Sequence, residues 1–176
     1  ERLFGAARLD PDLYNEVATN PKAMVQSVVV VFLYCAAAAY GSFGKVGVVG
    51  VNVALITTYI GWYVWAFTSY MIGTRLLPDA RTGKDKRALL RAMGYATAPG
   101  IIRLFSLMPE MSAAAFWIAT LWMIASSTVA IKQALFYESI YRALGVCIIG
   151  FVAGAMVQLL LFVVMFSVFG VPAKPF

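Results

Sequence analysis

The chain has 176 residues and no histidine, and 62% of its residues are hydrophobic whereas only 12% are charged. Soluble domains carry about 25% charged residues and cannot enclose this much apolar surface, so the composition predicts an integral membrane protein. The net charge of +6 does not predict nucleic-acid binding, because the basic residues lie in short stretches between apolar runs, where they set membrane orientation. Without histidine the commonest general base and metal ligand are missing. We therefore expect no enzyme activity, cofactor or metal.

Residues 1–22 are predicted to form a short cytosolic or interfacial lead before the first apolar run. Its first part mixes apolar and charged residues at helical spacing, which is typical of a helix lying on lipid headgroups with Leu3, Phe4 and Ala7 toward the lipid. A frayed terminus is the alternative. Asp10 precedes a proline and is predicted to cap a second short helix, because its carboxylate accepts hydrogen bonds from free backbone amides.

Two long uncharged runs follow and predict transmembrane helices at residues 23–40 and 48–72, each close to the roughly 20 residues that a crossing needs. Aromatic residues are concentrated toward the end of the second run. Aromatic rings are enriched at membrane–water boundaries. We therefore predict that Trp62 and Trp65 are interfacial anchors.

A basic polar loop at residues 73–87 separates these spans from the next segment. Basic loops beside a membrane attract anionic lipid headgroups at about 1 kcal/mol per Lys or Arg. The alternative is that this loop only sets the topology.

The third apolar segment, residues 88–108, is predicted to be a kinked span. Arg91 and Arg103 interrupt it, and each is predicted to reach a different interface as an anchor. The α-helical stretch between them covers only about 15 Å, roughly half of the hydrocarbon core. Pro99 has no backbone N–H to donate and predicts the kink.

The fourth and fifth spans are predicted at residues 111–131 and 143–169, within a transmembrane domain of residues 23–172. The last span contains Gly150 and Gly154 in a G-x-x-x-G arrangement. Small residues at this spacing let two helices approach closely in a membrane, so we predict a helix contact here.

The distribution of charge predicts the orientation but not the number of spans. Arg142 is predicted to anchor the start of the fifth span and to pair with Glu138 four residues earlier. Most Lys and Arg residues lie on the same side of the membrane as the amino terminus, whether or not the third segment crosses. The amino terminus is therefore predicted to be cytoplasmic. The carboxyl terminus is outside with five spans and inside with four.

The third segment also carries a family resemblance. Residues 89–99, with the sequence LLRAMGYATAP, resemble the Ypt-interacting-protein (Yip) family in its bacterial and archaeal branch, as do residues 10–17, 121–122, 131–135 and 141–143. The resemblance implies five spans and a cytoplasmic amino terminus, in a prokaryotic cytoplasmic membrane. Eukaryotic members bind Rab-type GTPases. Their pre-membrane motif is only half matched, because Asn15 and Glu16 stand where Gly and Pro are expected, so GTPase binding is not carried over.

Two functions from different classes follow. The first is a non-enzymatic scaffold or accessory subunit of a larger membrane complex, with Gly94, Tyr95 and Pro99 shaping the helix packing. Its expected partners are the bilayer, including anionic lipids, and other membrane subunits or further copies of the chain. The alternative is a small-solute transporter or channel centred on the kinked third helix, with Asn52, Tyr95 and Thr97 as its polar site.

Overall fold

The computed structural model describes residues 2–79 and 81–169, and these form helices and short connections, as predicted. The α-helices are α1 (Arg2–Ala7), α2 (Pro11–Thr19), α3 (Ala23–Gly41), α4 (Phe43–Met71), α5 (Lys86–Tyr95), α6 (Ser112–Ala134) and α7 (Ile140–Phe169). A π-helical turn, Ile72–Leu76, ends α4, and two 3-10 helices, Ala98–Leu107 and Pro109–Met111, lie between α5 and α6. The predicted end of the transmembrane domain at residue 172 lies outside the described residues.

Four helical stretches are long and apolar enough to cross a membrane: Ala23–Gly41, Gly47–Leu76, Pro109–Ala134 and Ile140–Val168. They agree with four of the predicted spans. The remaining predicted span, residues 88–108, is not one continuous helix. It consists of α5, a two-residue turn and the helix Ala98–Leu107, which we call the 3-10 segment.

The break in this third element has a local cause. The α-helix ends at Tyr95, and Pro99, which has no N–H to donate, lies in the first turn of the 3-10 segment. The Thr97 hydroxyl donates to the Gly94 carbonyl oxygen at 2.7 Å, which satisfies one acceptor at the end of α5. A 3-10 helix rises about 2.0 Å per residue, so ten residues reach about 20 Å where an α-helix reaches about 15 Å.

The middle of the third element is the most enclosed part of the bundle. Every residue from Arg91 to Gly100 is buried. At Gly94 a Cβ atom would overlap the Ser27 side chain of α3, and at Gly100 it would overlap the Tyr34 ring further along α3. Only glycine allows these close approaches, so the two glycines bring the third element against α3.

The third element runs in the same direction as α3. Its contacts move from Ser27 near the start of α3, past Tyr34, to Gly41 at the end of α3, where a Cβ would overlap the Arg103 carbonyl oxygen. From Ser27 to Gly41 an α-helix rises about 21 Å. The third element therefore accompanies α3 over most of its length. Helix α6 returns along it, because Met123 contacts Gly100 and Thr120 contacts Arg103.

Helices α4 and α7 share the most extensive contact of any two helices described, and glycines again allow it. A Cβ at Gly154 would lie 2.7 Å from the Gly61 carbonyl oxygen and 2.9 Å from Trp65 Cβ. A Cβ at Gly150 would lie 3.0 Å from Trp65 Cδ1. Trp65 Nε1 donates to the Cys147 carbonyl oxygen at 3.1 Å. The G-x-x-x-G glycines thus face α4, and the two helices run antiparallel.

The amino-terminal lead is docked on the bundle. The Tyr14 hydroxyl donates to the Ala6 carbonyl oxygen at 3.0 Å, and Trp122 Nε1 of α6 donates to the Ala7 carbonyl oxygen at 2.8 Å. Burial raises the pKa of Tyr14, so its hydroxyl remains a donor. Phe4 is exposed, as expected for an interfacial helix, but α1 is held by the protein rather than by lipid alone.

The glycine contact at the α3 crossing is testable. Gly94→Ala is expected to destabilise the protein by about 1–3 kcal/mol, because the new methyl group overlaps Ser27 and forces the elements apart. Gly145→Ala is the control, because a Cβ there meets no atom within 4 Å and alanine is the better helix former. Thermal unfolding in detergent compares them. Equal midpoints for both variants would contradict a tight crossing.

Candidate functional site

The most unusual side chain in the bundle is Arg103. It extends from the 3-10 segment between α3 and α6, where Nη2 donates to Thr120 Oγ1 at 2.8 Å. Its guanidinium carbon lies 4.8 Å from the centre of the Phe116 ring and 5.5 Å from that of Tyr34. Within the described chain, its buried Nε has no hydrogen-bond partner. Arg103 was predicted to be an interfacial anchor; in the structure its half-buried side chain extends towards α6, into the bundle.

Two adjacent cavities, of about 260 and 620 Å³, meet at Arg103. Tryptophan and methionine side chains line the inner end of the smaller cavity, and Ser42 and Pro109 line the larger one, near the far ends of α3 and α6. Both cavities are bordered by Arg103, Phe116, Gln158 and Phe162. We call the two cavities together the Arg103 cleft.

The cleft has one charge and several hydroxyl groups. Gln158 Nε2 donates to Thr58 Oγ1 at 3.1 Å, and Ser106 also lines the wider cavity. Among the residues that line either cavity no Asp or Glu occurs. A cation in a largely apolar environment is costly unless an anion or a hydrogen-bond acceptor balances it. The cleft is therefore suited to an anionic group.

Arg91, also predicted to be an interfacial anchor, is buried within the protein and bonded to the amino-terminal lead. Its Nε donates to the Val17 carbonyl oxygen at 3.1 Å, and Nη2 donates to that of Ala18. The Asp85 carboxylate lies 3.7 Å from Nη2. The last carbonyl groups of a helix have no partner within the helix and carry partial negative charge. Arg91 therefore caps the end of α2 and fixes the lead to α5.

A second polar link joins these two helices, α2 and α5, to α1 and α3. The Tyr95 hydroxyl donates to Gln26 Oε1 at 2.7 Å, and Arg2 Nη1 donates to that oxygen at 2.5 Å. Arg2 also pairs with Glu16 at 2.8 Å. The amino-terminal end of the bundle is thus closed by α1, α2, α3 and α5.

The residues predicted for a transport site do not form one site. Asn52 lies on the exposed face of α4 and donates to the Val48 carbonyl oxygen at 2.9 Å. Tyr95 and Thr97 are buried near the break in the third element. A polar side chain in a helix can donate to the backbone carbonyl four residues earlier. Asn52 makes this local bond and therefore needs no neighbour from another helix.

Trp62 and Trp65 are buried, with 8% and 5% of their surface exposed, and are not interfacial anchors. They lie on the face of α4 that packs toward α7 and the Arg103 cleft, where glycines leave room for large rings. Their position near the end of an apolar run favoured a membrane boundary, but the π-helical turn extends that run to Leu76.

Arg142 ties the polar loop to the start of α7. It donates to the Pro78 carbonyl oxygen at 3.0 Å and pairs with Asp79 at 3.2 Å. Glu138, its predicted partner, lies instead 3.6 Å from Arg81. Residue 138 precedes the first turn of α7, so the helical spacing that would bring it to Arg142 does not apply.

Tyr137, between α6 and α7, bonds to the backbone of the π-helical turn. Its hydroxyl lies 2.7 Å from the Gly73 carbonyl oxygen and 2.9 Å from that of Leu77, and it donates to one of them at a time. Burial raises the pKa of Tyr137, so the hydroxyl keeps its proton. This role was not predicted from the sequence.

Sequence reasoning also missed Gln158 as a member of the site. One signal was present: Gln158 is the only amide side chain in the apolar helix α7 over the described residues. A polar side chain in such a helix normally faces a partner within the protein. Its partner, Thr58, is 100 residues away in sequence and no local pattern identifies it.

No family model matches the chain, and searches of curated proteins and of solved structures give no match.

The Arg91 contacts predict a strong effect of a neutral replacement. Arg91→Met is expected to lower the free energy of unfolding by about 1.5–3 kcal/mol, because the buried Val17 and Ala18 carbonyl groups lose a charged donor. Arg87→Met, one turn earlier with an exposed side chain, is the control. Chemical denaturation in detergent measures both. A similar small loss in both variants would contradict the capping role.

Proposed function

We propose that this chain is a non-enzymatic integral membrane protein with five crossings that acts as a scaffold or accessory subunit of a larger membrane assembly. Its amino terminus is cytoplasmic and its carboxyl terminus outside. The Yip-family resemblance supports this topology as a prediction. Four long apolar helices and a fifth element that runs beside α3 are the structural features that support it.

The position of the third element is the main support for five crossings. Its contacts with α3 extend from Ser27 to Gly41, about 21 Å of helix and therefore most of a hydrocarbon core of about 30 Å. Two long helices flank this element in sequence. Five crossings let each adjacent pair of elements run in opposite directions, as their contacts require.

The number of crossings is tested by labelling with a membrane-impermeant maleimide in intact cells. With five crossings, Glu110→Cys is labelled from outside and Glu138→Cys only after the membrane is permeabilised. With four crossings, Glu138→Cys is labelled from outside and Glu110→Cys only after the membrane is permeabilised. Both side chains are exposed. Arg81→Cys is the cytoplasmic reference, and the unmodified chain is the blank because Cys35 and Cys147 are buried.

Uneven packing is the observation that carries the scaffold role. In the most apolar stretch of α7 only 22% of the residues are buried, compared with 44–50% in the other three long helices. The amino-terminal end of the bundle is closed by Arg91, Tyr95 and the docked lead. A fixed end with one largely uncovered helix is the arrangement that a subunit needs to present that helix to a neighbour.

A transporter remains the second candidate because the broken third element lines a cavity through Arg103. The closed amino-terminal end is unfavourable to it. Residues 91–100 are all buried there, so the cleft ends within the bundle in this conformation. Binding is therefore favoured over conduction.

Photo-crosslinking tests the scaffold role. A photoreactive amino acid replacing Leu160, exposed on α7, is expected to capture a second protein chain in native membranes. The same probe replacing Val29, exposed on α3, is the control. Mass spectrometry identifies the products. Lipid adducts alone at both positions, with solute uptake by the isolated protein in liposomes, would overturn the scaffold role in favour of the transporter.

A further inference from the structure

We infer that the Arg103 cleft binds the anionic headgroup of a membrane lipid, with part of an acyl chain in the narrower cavity. The inference goes beyond the scaffold role and does not depend on a partner chain, because the whole cleft lies within one polypeptide. It is based on charge, on unused hydrogen-bonding capacity, and on the shape of the two cavities.

The charge of Arg103 favours an anionic ligand in the cleft. Arg103 lies on the third element between two aromatic rings, and no carboxylate lines either cavity over the described residues. The facing rings stabilise a cation by their electron-rich faces but do not neutralise it. A charge held this way attracts an anion much more strongly than one in water, because the local dielectric constant is low.

Arg103 also has hydrogen-bond donors that are available to a ligand. The guanidinium group of an arginine has five N–H donors. Nη2 donates to Thr120, and the buried Nε has no partner within the described chain. Planar guanidinium donors match the oxygens of a phosphate or a carboxylate in pairs. The hydroxyl groups of Ser42 and Thr57 also line the wider cavity, but each donates its one proton to a backbone carbonyl oxygen of its own helix, so Arg103 supplies the donors for the anion.

The two cavities of the cleft differ in size and in the polarity of their lining. The wider cavity, of about 620 Å³, lies by the far ends of α3 and α6 and carries most of the hydroxyl groups. The narrower one, of about 260 Å³, is lined by apolar side chains that include Phe151, Leu159 and Phe162 of α7. Leu159 is also exposed at the outer surface, where the lipid lies. A polar pocket beside an apolar groove fits an amphiphile better than a free ion.

The experiment uses the full chain, stripped of lipid in a neutral detergent, with dioleoylphosphatidylglycerol as the anionic probe and dioleoylphosphatidylcholine as its zwitterionic match. Native mass spectrometry counts bound lipids and gives the apparent affinity. We expect Arg103→Gln to weaken phosphatidylglycerol binding about tenfold or more, as loss of a charged hydrogen-bonding partner does. Arg8→Gln removes the same charge from an exposed position outside the cleft and outside the basic loop, and is expected to leave this binding unchanged.

A second pair of variants keeps the test independent of folding defects at Arg103. Ala155 is exposed and lines the narrower cavity, so Ala155→Trp is expected to fill the groove and weaken binding with Arg103 intact. Val152→Trp, one turn away and exposed outside the cleft, is the control. Equal binding by all four variants would overturn the inference. Inorganic phosphate that competes fully with the lipid would also overturn it, because the site would then take a free anion.

Discussion

The close approach of the third element to α3 and α6 is the constraint on which the rest of the bundle depends. Glycine at positions 94 and 100 removes the side chains that would keep these backbones apart. Membrane helices have no hydrophobic driving force toward one another, so such contacts supply much of their association. Helices α4 and α7 pair with each other through a second set of glycines, with α4 against α3 and α7 against α6.

The same constraint explains where the bundle is tight and where it is open. At the amino-terminal end, short helices, a capping arginine and the Tyr95–Gln26 link close the structure. At the other end the third element is a stretched 3-10 helix, and the neighbouring stretch of α7 is largely uncovered. Aromatic rings and one guanidinium group border the space that remains. The candidate site is therefore a product of the break in the third element.

The sequence was informative about elements and less so about which way their side chains face. Length and hydropathy located four long helices, because crossing a membrane requires about 20 apolar residues. Pro99 marked the break correctly, but nothing local indicates that a 3-10 helix rather than an α-helix follows it. Arg91 and Arg103 were assigned to interfaces by a rule that holds for exposed side chains. Each is instead directed inward by contacts with segments that lie far away in the sequence.

Enclosure of the third element between α3 and α6 also has a consequence for how the protein is made. Helix α6, one of the helices that pack against this element, is synthesised only after it. Until α6 is synthesised, Arg103 lacks the Thr120 hydroxyl that accepts its hydrogen bond. The third element therefore completes its packing only after a later segment of the chain is available, and not in the order in which the helices are synthesised.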